Sequence, residues 1–199
     1  MTRRHVAAVL LALLAGGCVR APAPTPAQTG LRRVAVFPPL NRTGDELVVE
    51  GGTLLEKYAF HTARVTVPDV LAAEARRQFQ AAGVTVVAPD TVDAAAGDHP
   101  PLSAEQAGRR AALAHIDAPV LFIDLGRWEP DAPFQPSFII VSLEATLVDP
   151  KDGRVLWSAK RPSRPIATQG VIDLPAADVV AATAVMAEVM APLFRPAPR

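Results

Sequence analysis

Residues 137–159, SFIIVSLEATLVDPKDGRVLWSA, decide the fold. Ile139, Val141, Leu143, Ala145 and Leu147 fall on one side of an extended chain, whereas Ile140, Ser142, Glu144 and Thr146 fall on the other. Side chains of a strand alternate between its faces, so this is a strand with one wholly apolar face and one mixed face. Asp149 to Gly153 is a turn, with local backbone hydrogen bonds for Asp149 and Asp152. RVLWSA follows, with Val155, Trp157 and Ala159 expected on one face, which makes the stretch an antiparallel hairpin.

Upstream, residues 120–125 form a short apolar run bounded by Pro119 and Gly126, a third strand of the core. Before it, Ser103 and Gln106 have the spacing of a capping box and open a helix reaching about His115. VTVVAP, from Val84, reads as a short buried strand. In TVPDVLAAEARRQFQAAG, Thr66 suits an N-cap and Pro68 with Asp69 a first turn. Leu71, Ala75, Phe79 and Ala82 then recur at helical spacing until Gly83. Val34 to Phe37 is a strand stopped by Pro38-Pro39, and Asn41 to Asp45 is a turn. Between that turn and the helix lie two β-rich pieces around Gly51-Gly52, either a hairpin or an irregular excursion. Downstream, Pro175 starts a helix in which Val179, Thr183, Met186 and Met190 form one stripe. Its other faces carry only Asp178 and Glu188 as charges, so it is either core against the sheet or a partner or self-association surface. Strand, helix, strand, helix, three strands, helix is the order of a single α/β domain spanning residues 31–199. Its mixed β-sheet, flanked by helices, is parallel early and antiparallel late.

The amino terminus is of another kind. Arg3, Arg4 and His5 precede an uncharged run, Val6 to Gly17, that ends in small residues. This is the layout of a secretory signal, and the run is shorter than the roughly 20 residues a bilayer-spanning helix needs. Leu14-Ala15-Gly16-Gly17-Cys18 resembles the bacterial lipobox. The resemblance implies removal of residues 1–17 and acylation of Cys18, the only cysteine in the chain. Val19, rather than Asp, after that cysteine implies outer-membrane sorting with the domain facing the periplasm; inner-membrane anchoring is the other placement. Two or more acyl chains hold a protein stably on a membrane. Residues 18–30 then form a Pro/Ala linker, extended at about 3.1 Å per residue.

The chain has 20 basic and 20 acidic residues, and losing Arg3 and Arg4 leaves 18 against 20, a net charge of −2. No basic footprint for nucleic acid is present. Apolar residues make up 50% and charged ones 20%, which argues for a folded core rather than disorder. With Cys18 acylated, no thiol remains for a disulfide. No nucleophile-elbow, zinc-helix, phosphate-loop or dinucleotide-loop spacing occurs, so no catalytic residue and no cofactor or metal is assigned. His61, His99 and His115 are scattered, and Asp117 near His115 fits a turn. Arg76-Arg77 and Arg109-Arg110 fit a solvated helix face. Trp128 and Trp157 are the candidate partner-binding residues, as interface anchors, with core or rim packing as the other role.

Three stretches, VAVFPPLNRTGD from Val34, AHIDAPVLFIDLGRWE from Ala114 and VSLEATLVDPKDGRVLWSAK from Val141, resemble a group of envelope proteins. They are similar to the TolB amino-terminal domain, to LpoB-type activators of penicillin-binding proteins and to the curli secretion-channel lipoprotein. The matching residues are the turn Asn41 to Gly44, Trp128, and the hairpin set Asp149, Gly153, Leu156 and Trp157. The resemblance implies a TolB-like fold and a non-enzymatic scaffold or assembly accessory. Its partners would be an envelope or secretion complex, the membrane through Cys18 and, by analogy with the curli channel, further copies of itself. A ligand- or lipid-binding auxiliary of a transporter, with an apolar cavity beneath the last helix, is the rival expectation.

Overall fold

The computed structural model describes residues 30–49, 64–171 and 173–194. Cys18, the linker and the Gly51-Gly52 turn lie outside them. The described residues form a mixed sheet with helices on both faces, and a small two-stranded ribbon beside it.

β1 (Arg33–Val36) lies between β5 (Thr85–Val86) and β6 (Val120–Pro130), parallel to both. β2 (Leu40–Asn41) continues along β6. β7 (Phe138–Val148) and β8 (Val155–Ala167) complete the sheet antiparallel, in the order β5-β1-β6-β7-β8. β3 (Val48–Val49) and β4 (Val65–Thr66) pair antiparallel, at the place of the hairpin alternative.

One face of the sheet is covered by α1 (Val67–Ala81) and α4 (Leu174–Phe194). Phe79 of α1 meets Phe194 of α4 edge to face, ring centroids 5.6 Å apart, over Leu121, Ile123, Ile139, Val141 and Leu147. Each such side chain contributes about 1.5–3 kcal/mol when fully buried. α4 is long and apolar enough to cross a bilayer by length and composition, yet most of it is buried in this layer. Its apolar surplus is spent on packing, as the core alternative requires. The other face is covered by α2 (Pro89–Ala96) and α3 (Ala104–Leu113) over Ala35, Phe37, Val120, Phe122 and Val148. α3 approaches β7 at Gly108, where a Cβ would stand 3.2 Å from Val148 Cγ2.

The caps agree with the sequence pattern. The Asp69 carboxylate accepts from the Thr66 amide at 2.8 Å and its hydroxyl at 2.7 Å, Gly83 has φ +78° after α1, and Ser103 Oγ accepts from the Gln106 amide. α2 is a helix that the periodicity of the sequence does not mark: it starts at Pro89, ends in three alanines and buries only Val92 and Ala96.

Bulges redistribute the hairpin's side chains. Leu125 pairs with Leu143 but Arg127 with Ser142, so Gly126 is an extra residue on β6. Strict alternation after Leu121, Ile123 and Leu125 would bury Arg127; the extra residue turns Trp128 inward instead. On β8, Trp157 pairs with Leu147 and Val155 with Val148, with Leu156 extra. Val155 therefore does not share the face of Trp157 and Ala159; it is turned to the other side and is 56% exposed.

Candidate interaction surfaces

Because of the Gly126 bulge, Trp128 is 3% exposed and its Nε1 donates to Asp178 Oδ1 at 2.8 Å, joining β6 to the first turns of α4. Of the two roles open to this residue, packing is the one it performs; its indole is not presented to a partner. Burial pushes the Asp178 carboxyl up to about 6, the indole donation opposing the rise. Trp157 sits half-buried on the edge strand β8 and packs against the core rim, so part of its ring remains accessible.

Arg77 and Arg109 are exposed, as a solvated face requires, whereas Arg76 and Arg110 are partly buried. Arg77 pairs with Glu74, whose side chain is fully buried, and Arg110 donates to the carbonyls of Ala96 and His99, tying α3 to the end of α2. Burial lowers the Arg76 pKa, opposed by Asp93 and Asp69. Arg109 makes an i,i+4 pair with Glu105. Asp117 pairs with Lys151 across the two turns at 3.0 Å. His99 and His115 are exposed, His61 lies outside the described residues, and among the described residues no group of three His, Cys, Asp or Glu converges as a metal site.

A cleft of about 370 Å³ is lined by Arg42, Asp124, Gly126, Ser142, Glu144, Lys160 and Ser163. Asp124, Glu144 and Lys160 are opposite one another in register across β6, β7 and β8. Two carboxylates directly opposite repel. Arg42 relieves this: its Nε donates to both Asp124 oxygens at 2.9 Å and its Nη2 to the Leu102 carbonyl at 3.1 Å. The Asn41 side chain accepts from the Thr43 amide and donates to the Asp45 carbonyl, which fixes the turn that aims Arg42. Sequence reasoning missed this constellation because its members lie far apart in the chain. The outward parity of Glu144 and Lys160 was the one signal available. Such a set can recognise charged and polar groups. A second cleft, of about 310 Å³, lies between the end of α3 and the β7–β8 turn, lined by Ala112, His115, Ile116, Asp117, Pro150 and Lys151. Neither cleft touches α4.

Arg161 is the buried counterpart of this polar face, 4% exposed at the second β8 bulge. Its Nη1 donates to the Val141 carbonyl at 2.5 Å and the Arg164 carbonyl at 2.9 Å, while Nε reaches Glu188 of α4 at 2.9 Å.

The β6–β7 loop, residues 131–137, is held at both ends. Asp131 Oδ1 accepts from the amides of Ser137 and Phe138, and the Thr168 hydroxyl donates to the Pro136 carbonyl at 2.6 Å. At its apex Phe134 is 82% exposed.

No family model matches the chain, and no curated protein is similar to it in sequence. Among solved structures it is similar to the PelC dodecamer from Paraburkholderia phytofirmans, at 18% identity over 88% of this chain and 94% of that one, TM-score 0.47. It is also similar to lipoprotein GNA1162 from Neisseria meningitidis, at 22% identity over 70% and 85%, TM-score 0.41. For the LpoB C-terminal domain from Salmonella enterica the identity is 14% over 69% and 83%, TM-score 0.40.

Proposed function

We propose that the chain is a lipid-anchored envelope protein whose α/β domain, facing the periplasm, is a protein-binding scaffold or assembly accessory of an envelope or secretion complex, and not an enzyme. The observation that carries this reading is the lipobox at Leu14 to Cys18, followed by a Pro/Ala linker that leads directly into β1. A diacylated cysteine at that position tethers the domain, and about 13 linker residues at 3.1 Å each let it stand some tens of ångströms off the membrane. Val19 after the cysteine supports outer-membrane placement, by the resemblance to lipoprotein signals.

The domain's chemistry suits recognition. Its polar cleft sets Glu144 and Lys160 beside an Arg42–Asp124 pair, and its partly exposed Trp157 lies on β8, the edge strand of the sheet among the described residues. The transporter-auxiliary alternative asked for a cavity beneath the final helix, and α4 instead closes on α1, β7 and β8.

The test is crosslinking of the tagged, lipidated protein in cells, then purification from solubilised membranes with mass spectrometry of proteins and lipids. An envelope protein that is recovered reproducibly, and lost when the domain surface is altered, is the expected result. Co-purified lipid with no protein partner would overturn the scaffold reading in favour of the ligand carrier.

A further inference from the structure

Single exposed apolar side chains are ordinary on protein surfaces. Phe134 differs in how it is presented. It stands between Pro133 and Pro136, whose rings fix the backbone, in a loop closed by Asp131 at its base and by Thr168 from the neighbouring strand end. Gln135 donates to the Val171 carbonyl, tying the loop to that residue as well. The backbone under the ring is thus ordered before any contact is made, and a partner has little conformational entropy left to remove. An 82% exposed phenyl group on a preorganised support is the arrangement of a binding anchor.

Charge and position narrow the partner. Asp131 at the base of the loop accepts from the Ser137 and Phe138 amides, Asp173 accepts from the Ala176 amide, and Glu129 pairs with Arg127. No basic residue occurs from 129 to 138 or from 165 to 176. The loop is also at the end of the sheet opposite the anchor: the chain enters at Arg33, β6 runs parallel to β1, and the loop follows the far end of β6. Eleven residues of β6 at about 3.3 Å each carry it about 35 Å from the end where the linker joins. The tethering membrane is therefore behind the domain, and the acidic rim disfavours an anionic lipid surface.

We infer that Phe134 is the anchor of a docking site for a partner protein, entering an apolar pocket rimmed by Lys or Arg on the side of the domain away from its membrane. The inference rests on the scaffold reading and names its contact surface.

The test places the photo-crosslinking residue p-benzoylphenylalanine at position 134 of the full-length, lipidated chain in cells, with the same residue at Leu113 as control. Leu113 is 81% exposed at the opposite end. The expected result is one envelope protein crosslinked at least about tenfold more at 134 than at 113, through residues of an apolar pocket flanked by Lys or Arg. Phe134→Ser should lower recovery of that protein by about tenfold or more, with membrane fractionation and thermal unfolding unchanged, and Phe134→Leu should restore part of it. Equal crosslinking at both positions, or crosslinks only to lipid or to a second copy of this chain, overturns the inference. Undiminished recovery with Phe134→Ser overturns it too, while leaving the scaffold reading standing. Failure to recover any envelope protein with either chain overturns both.

Discussion

Two buried polar residues hold the long strands to α4, and each gives a measurable consequence. Asp178 is neutral more readily in the fold than in the unfolded chain, where aspartate titrates near 4. Its contribution to stability is full below about pH 4 and is lost as the pH rises through about 6, because the folded state then holds an ionised carboxylate in the core. Asp178→Asn keeps an acceptor for the Trp128 indole and removes the charge. It should stabilise the domain at pH 7.5 by up to about 3 kcal/mol and lose that advantage at pH 4, read from urea unfolding at the two pH values. Arg161 has the opposite character. It donates to the Val141 and Arg164 carbonyls beside the β8 bulge. Arg161→Met should cost about 2–4 kcal/mol in the same measurement, because those carbonyls stay buried without a donor.

At the scale of elements, the hairpin and the final helix were legible from periodicity, and α1 and α3 from their caps. The alternation from Ile139 to Leu147 corresponds residue for residue to the buried face of β7. What could not be read was the parity of the flanking strands. A bulge adds one residue without changing composition, so Arg127 and Trp128 exchange faces and Val155 parts from Trp157 with no mark beyond Gly126. The charged cleft was hidden for the same reason, since it exists only once the registers of β6, β7 and β8 align Asp124, Glu144 and Lys160. α2 escaped because a short helix with two buried residues has almost no periodic signal. Inserting one residue after Gly126 should shift the parity of β6 beyond the bulge, drive Arg127 toward the core and expose Trp128. A loss of more than about 3 kcal/mol is expected, with a red-shifted tryptophan emission; unchanged emission would contradict the bulge's role. In the helix layer, Phe79→Ala should cost about 3–5 kcal/mol, because the ring is fully buried against Phe194.

At the scale of the whole molecule, the domain has two unlike ends. The linker joins at the start of β1, near the β7–β8 turn, while the loop carrying Phe134 and the first turns of α4 lie at the far end. The proposed tether at one end and the exposed aromatic at the other fit the proposed module, which reaches from a membrane to a partner. Cys18 is the one chemical determinant of the proposed tether. The direct measurement is cell fractionation of the full chain beside Cys18→Ala, with metabolic labelling by a fatty acid. The parent should be labelled and recovered in the membrane fraction, and the variant unlabelled, folded and released to the soluble fraction. An unlabelled parent, or a variant that fractionates as the parent does, would contradict the account.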